Sequence, residues 1–113
     1  MLPRINRLNK QKDFEAVFSR GKTKQDSFFV VKALPNDRDL SRFGFIVSAR
    51  VAKKAVARNL LRRRMSEIIR LNLKKIKNGF DVVLAAKFKL ADLSYEEMKK
   101  SLLDLLKNIN IYV

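Results

Sequence analysis

The residues with the most pronounced chemistry lie at positions 50–64. There RVAKKAVARNLLRRR carries seven basic side chains, Arg50, Lys53, Lys54, Arg58, Arg62, Arg63 and Arg64, and no acidic one. Positive charge at that density repels itself and calls for a polyanion. At about 100° per helical residue, Asn59, Arg62, Arg63, Ser66 and Arg70 share an arc of about 100°, while Leu61, Met65, Ile68, Ile69 and Ile76 cluster on another side. One face is built for a protein core and the other for phosphates, which guanidinium groups grip bidentately. Arg62 and Arg63 are read as unneutralised within their own helix.

The rest of the composition narrows the chemistry. The chain has no Cys and no His, so it lacks a nucleophilic thiol, a neutral-pH imidazole base and the usual zinc ligand sets. No catalytic side chain and no metal ligand are assigned, and protein-borne hydrolysis is not expected. The formal charge of +15 falls wholly on residues 1–77, which hold 21 basic and 6 acidic side chains, whereas residues 78–113 hold 5 of each. The polyanion should therefore meet the first two-thirds of the chain. Basic amphipathic helices also bind anionic lipid, but this helix has an apolar face with a core to fill. Short apolar runs and a charged N-terminus, MLPRINRLNK, argue against a signal peptide or a membrane span, and a cytoplasmic protein without a small-molecule substrate is expected. An Arg-rich face suits folded RNA and duplex DNA alike. The short-turn helix that precedes the recognition helix of a helix-turn-helix DNA reader is missing here.

The elements that must position this face follow from periodicity. At 113 residues the chain is one domain, 1–113, long enough to fold without staples. Residues 1–9 read as a basic, poorly structured lead-in. Asn9 can cap a helix running to about Arg20, with Phe14, Val17 and Phe18 on its apolar side and Gly21 as a left-handed exit. Residues 27–34 (SFFVVKAL) and 42–48 (RFGFIVS) read as two strands, whose polar connection permits an antiparallel hairpin, and Gly44 marks a bulge or a close approach. The helix of the basic segment should run to about Lys77 and stop at Asn78-Gly79. Residues 80–86 (FDVVLAA) form a mostly apolar third strand, central in its sheet and parallel to the second. Ser94-Tyr95-Glu96-Glu97 is a capping box for a last helix, with Leu93 and Met98 as its hydrophobic staple. The order α-β-β-α-β-α predicts an α+β fold, a two-layer α/β sandwich with a small mixed sheet and a β-α-β crossover that is right-handed by default.

Four segments in order resemble the protein component of bacterial ribonuclease P. They are NRLNKQKDFEAVFSRG, then Val47-Ser48-Ala49-Arg50 leading to ARNLLRRR, then FDVVLAAK, and LSYEEMKKSLLDLL. The resemblance implies the protein subunit of a ribonucleoprotein that removes the 5′ leader of precursor tRNA. The partners would be the ribonuclease P RNA, which carries the catalysis and its magnesium, and precursor tRNA. It also implies a left-handed crossover, of the type in domain 2 of ribosomal protein S5, in place of the right-handed default. Arg58, Asn59, Arg62 and Arg63 match the signature that faces the catalytic RNA, and Arg50 matches the strand-end basic position. Lys53, Lys54 and Arg70 join them as RNA contacts on charge. Phe14 and Phe18 match aromatic positions lining a cleft for the single-stranded leader, although phenylalanines four residues apart on a short helix also make a core. Lys12, Lys32 and Ser48 complete that cleft.

The pattern breaks at two places. Leu60 stands where the signature has an arginine, and Ser66 where one is common, while Arg64 points elsewhere around the helix. The competing reading is a non-enzymatic RNA-binding module of ribosomal or RNA-chaperone type.

Overall fold

Among the described residues three α-helices and four strands account for the predicted elements and add one strand. The computed structural model describes residues 2–112, apart from the side chains of residues 91 and 92; Met1 and Val113 lie outside the described residues. The principal elements in chain order are α1 (Gln11–Arg20), β1 (Lys22–Gln25), β2 (Phe29–Pro35), β3 (Arg42–Ile46), α2 (Ala55–Leu71), β4 (Phe80–Ala86) and α3 (Tyr95–Asn108).

The unpredicted strand is β1, whose sequence KTKQ is exposed throughout and has no apolar alternation to reveal it. It is held by its backbone, paired antiparallel with β2 from Lys22↔Ala33 to Gln25↔Val30. Its lysines keep an outer edge from pairing with other chains. Asp26 makes the turn into β2: one carboxylate oxygen accepts the backbone N–H groups of Phe28 at 2.8 Å and Phe29 at 2.9 Å.

The sheet order is β1-β2-β4-β3. β4 is central and pairs parallel with β3, as expected, from Arg42↔Asp81 to Ile46↔Ala85. The β2–β3 hairpin that the connecting loop permits does not form. β4 lies between the two strands and pairs antiparallel with β2 from Phe29↔Ala86 to Pro35↔Phe80. Its run Asp81 to Leu84 is buried on both faces, and the interior position satisfies that burial.

The two faces of the sheet differ in depth. Phe29, Val31, Phe43, Val82 and Leu84 point into the main core, where α2 contributes Leu61, Met65, Ile68 and Ile69 and α3 contributes Met98, Leu102, Leu105 and Leu106. On the opposite face α1 and the segment that leads into it pack, and the buried cluster there is Leu8, Val17 and Val83.

The helix ends separate correct local signals from misread ones. α3 carries the complete capping box, Ser94 Oγ accepting from Glu97 N at 3.2 Å and Glu97 Oε1 accepting from Ser94 N at 3.0 Å. The bond from the Ser94 backbone holds the Glu97 carboxyl below its ordinary value. The carboxylate's contribution to the cap is therefore complete above the usual glutamate range and is lost as pH falls through that lowered value, while the Ser94 Oγ bond to the Glu97 N–H does not titrate. Ser94→Ala should cost about 1 kcal/mol in a urea melt; an unchanged midpoint would show that the cap contributes nothing.

At α1 the cap position belongs to Lys10, and Asn9 does not cap it. Gly21 is extended at φ −73° and is needed for space, since a Cβ there would stand 2.5 Å from the Val17 carbonyl oxygen. α2 stops at Leu71, short of Lys77, where Asn72 Nδ2 donates to the Ile68 carbonyl at 2.7 Å and takes over a terminal acceptor. Gly79, at φ +89°, serves the turn into β4 and ends no helix.

The lead-in is a further correction. Residues 2–9 are built into the fold: Leu2 is buried in the main core and Leu8 beneath α1. The buried Asn6 donates from Nδ2 to the Ser41 carbonyl at 2.8 Å, and Arg7 bridges to Phe43 as a parallel addition to the β3 edge. Leucines at 2 and 8 give this segment no helical or strand period to read, so its anchoring is invisible locally.

Candidate RNA interface

Where the N-terminal segment crosses the edge of β3 it leaves a groove of about 630 Å³ between the sheet and α2. Its walls include Arg7 and Leu8, Phe14 of α1, Gly44 of β3, and Arg62 and Arg63 of α2. Gly44 answers the choice between bulge and close approach. It is a regular member of the β3–β4 ladder, opposite Val83, and a Cβ on it would overlap the Phe14 ring.

α2 presents its basic residues unequally. Leu61, Met65, Ile68 and Ile69 are buried as the periodicity requires. Arg63 is exposed on the groove wall. Arg62 is half-buried; its Nη1 reaches the Val47 carbonyl oxygen at 3.5 Å and its Nη2 donates to Asn59 Oδ1. Asn59 is exposed and thus orients Arg62 through its own side chain. Arg58 lies within about 20° of Met65 around the helix, on the side toward the core. Its guanidinium turns back to donate to the carbonyls of Ala52 at 3.0 Å and Lys53 at 2.7 Å, tying down the turn that precedes α2. A helix without a capping side chain gains an ordered entry from this arginine.

Arg50, Lys53 and Lys54 are exposed in that turn, outside the helix on which a continuous basic run would place them. Arg70 is exposed but pairs with Glu67, and that hydrogen bond is the main reason the Glu67 carboxyl sits below its ordinary value. The basic face is thus partly compensated: Glu67 stands three residues before Arg70 and four after Arg63. Leu60 is about one-third exposed and lines the groove together with Ser66, so the position where the signature breaks forms part of the wall.

The aromatic pair of α1 divides. Phe14 is half-buried against Gly44 and Leu8. Phe18 is 44% exposed, and Lys32 of β2 stands over it, Nζ 5.5 Å from the ring centroid and donating to the Phe18 carbonyl at 3.2 Å. The structure brings Phe14, Arg62 and Arg63 into the groove and Phe18 with Lys32 into a second cluster farther along α1. Lys12 and Ser48 are exposed outside the groove lining. Arg7, Leu8 and Gly44 are groove residues that no sequence signal assigns to a site, the first two because the lead-in reads as unstructured.

Among the described residues no group of three or more His, Cys, Asp or Glu could hold a metal ion, and no helix is long and apolar enough to cross a membrane. The arrangement can bind phosphates along arginines and stack bases on exposed aromatic rings.

Comparisons with known proteins converge. The family model described as Ribonuclease P matches residues 2–110. The Ribonuclease P protein component of Alkaliphilus oremlandii is 36% identical over 107 residues, spanning 95% of this chain and 93% of that protein. The fold is similar to that of the RNase P protein from Thermotoga maritima, at TM-score 0.83 and 37% identity over 90% of this chain and 96% of the other. It is also similar to that of the Staphylococcus aureus RNase P protein, at TM-score 0.88 and 26% identity over 96% and 98% of the two chains.

Proposed function

Because this chain belongs to the ribonuclease P protein family, we infer that its arginine-lined groove is where it engages RNA in the maturation of tRNA 5′ ends. The chain is the protein component of a ribonucleoprotein endoribonuclease, and its partners are the ribonuclease P RNA and precursor tRNA. The observation that carries the groove reading is the convergence of Arg62, Arg63, Arg7 and Phe14 on one concave surface.

This reading gives four groups of residues distinct roles. Arg63, with Arg62 oriented by Asn59, supplies guanidinium groups to the phosphates of the catalytic RNA. Arg58 acts behind them, fixing the turn from which Arg50, Lys53 and Lys54 extend their charges. Phe18, exposed under Lys32, offers a base-stacking surface beside a cation that suits the single-stranded leader, where each stacked base adds about 1–3 kcal/mol. Phe14 shapes the groove through its packing and presents its remaining edge to the leader.

The chemistry itself belongs to the RNA and its magnesium. The protein's part is to hold the leader and to neutralise phosphates that otherwise repel each other around the metal sites. A protein that works on RNA in this way belongs in the cytoplasm.

The test is reconstitution. The purified chain added to a bacterial ribonuclease P RNA should raise cleavage of precursor tRNA at low magnesium, while the chain alone cleaves nothing. No stimulation over RNA alone would end this reading. Replacing Arg62 and Arg63 together with Ala should flatten the salt dependence of RNA binding by about one to two counterions. Stability should stay within about 1 kcal/mol, because neither arginine is fully buried. A wild-type salt slope in that variant would move the RNA off α2.

A further inference from the structure

Beside the groove, across the N-terminal segment, a second hollow of about 390 Å³ is lined by four arginines, Arg4, Arg7, Arg38 and Arg42, and one carboxylate, Asp39. The arginines are in different states. Arg42 is committed: its guanidinium donates to both oxygens of Asp81, at 2.9 and 2.7 Å, and approaches Asp13 at 3.4 Å. Arg7 spends its Nε on the Leu2 carbonyl at 2.9 Å. The guanidinium groups of Arg4 and Arg38 have no hydrogen-bond or ion-pair partner among the described residues.

Both free arginines stand on pinned backbone. Arg4 opens the short 3-10 helix Arg4–Asn6, which Asn6 fastens to the Ser41 carbonyl at 2.8 Å. Arg38 sits in the β2–β3 loop, where Asn36 Oδ1 accepts the Arg38 N–H at 2.9 Å and Asn36 Nδ2 donates to the Leu40 carbonyl at 3.1 Å and to Asp81 at 2.9 Å. The same loop is tied at its far end by Ser41 Oγ, which donates to the Lys77 carbonyl at 2.6 Å. Two unpaired cations are therefore held at one hollow by a fixed scaffold, so an anion arriving there gains charge-assisted hydrogen bonds without first ordering the loops.

Arg7 lines both this hollow and the groove, which makes them neighbouring stations along the β3 edge. We propose that Arg4 and Arg38 form a phosphate subsite for the sugar-phosphate backbone of the RNA strand that occupies the groove, extending its path from Arg62 and Arg63 past Arg7. This rests on the groove being an RNA site. Asp39 opposes the anion and sets the strength of the subsite.

The test uses the full chain and a fluorescein-labelled single-stranded oligoribonucleotide, with affinity followed by anisotropy over a salt series. Arg4→Ala/Arg38→Ala should bind about tenfold more weakly and lower the salt slope by about 0.7 for each phosphate that is no longer neutralised. Arg4→Lys/Arg38→Lys should retain most of the slope, and Asp39→Asn should bind more tightly. Both arginines are exposed and unpaired, so a circular-dichroism melt of the Ala variant should match that of the parent. An unchanged slope in the Ala variant, alongside a reduced slope in Arg62→Ala/Arg63→Ala, overturns the subsite and leaves the groove standing. Inorganic phosphate that shifts the Arg4 and Arg38 amide resonances while the RNA slope stays unchanged makes the hollow a free-anion pocket and also overturns it. Failure of the groove reading looks different: no salt slope changes in either double variant, and the parent chain does not stimulate ribonuclease P RNA.

Discussion

Asp81→Ala is expected to lower stability by about 3 kcal/mol, toward the lower end of what breaking a buried ion pair costs. Asp81 is 6% exposed in the central strand, and its carboxylate accepts from Arg42 Nε, Arg42 Nη2 and Asn36 Nδ2. The hydrogen bond to Asp81 is the chief reason the Arg42 pKa is raised, against a smaller opposing effect of burial. Removing the carboxylate strands a largely buried guanidinium with only Asp13, 3.4 Å away, and releases Asn36 from the strand it ties down. Asp81→Asn keeps an acceptor and should fall between parent and Ala. A urea titration measures both, and a loss below about 1 kcal/mol for Asp81→Ala would mean that solvent already satisfies Arg42. The loop carrying Arg38 should loosen as well, visible as faster amide exchange at residues 36–40.

Gly44→Ala is expected to destabilise by about 1–3 kcal/mol, the range for overpacking a filled site. On strand preference alone the opposite sign is expected, since Ala in a strand gains about 0.5–1 kcal/mol over Gly. The Phe14 ring decides the sign, because it occupies the volume that a Cβ would need. The decisive comparison is a double-mutant cycle: in a Phe14→Ala background, Gly44→Ala should become neutral or stabilising. If it remains as costly there, the ring is not the obstacle. The same substitution should narrow the groove, because Phe14 and Gly44 are both part of its wall.

The legibility of this chain differs from residue to residue. The Ser94 capping box and the span of β4 can be read directly, because each depends on side chains within a few positions of one another. β1 cannot, since its four polar residues form a strand only because β2 offers an edge. The α2 core stripe is legible from its period, but the orientation of Arg58 is not. Its angular position puts it beside the core, and the turn carbonyls of Ala52 and Lys53 then capture it. Arg70 reads as a free phosphate contact, whereas Glu67, one turn before it, pairs with it.

The charge, its concentration in residues 1–77, the helical period of the basic segment, the apolar strands and the absence of thiol and imidazole chemistry are all legible in the order of the residues. Four ordered segments were enough to indicate the family. Only the folded chain shows that β4 separates β2 from β3, that the N-terminal segment borders a groove, and that Leu60 lines it. It also separated the free arginines, Arg4 and Arg38, from the committed Arg42 and Arg58. The physical reason is range: caps, turns and periodicities are set by neighbours along the chain, whereas strand partners, groove walls and the availability of a charge depend on groups that meet only after the chain has closed.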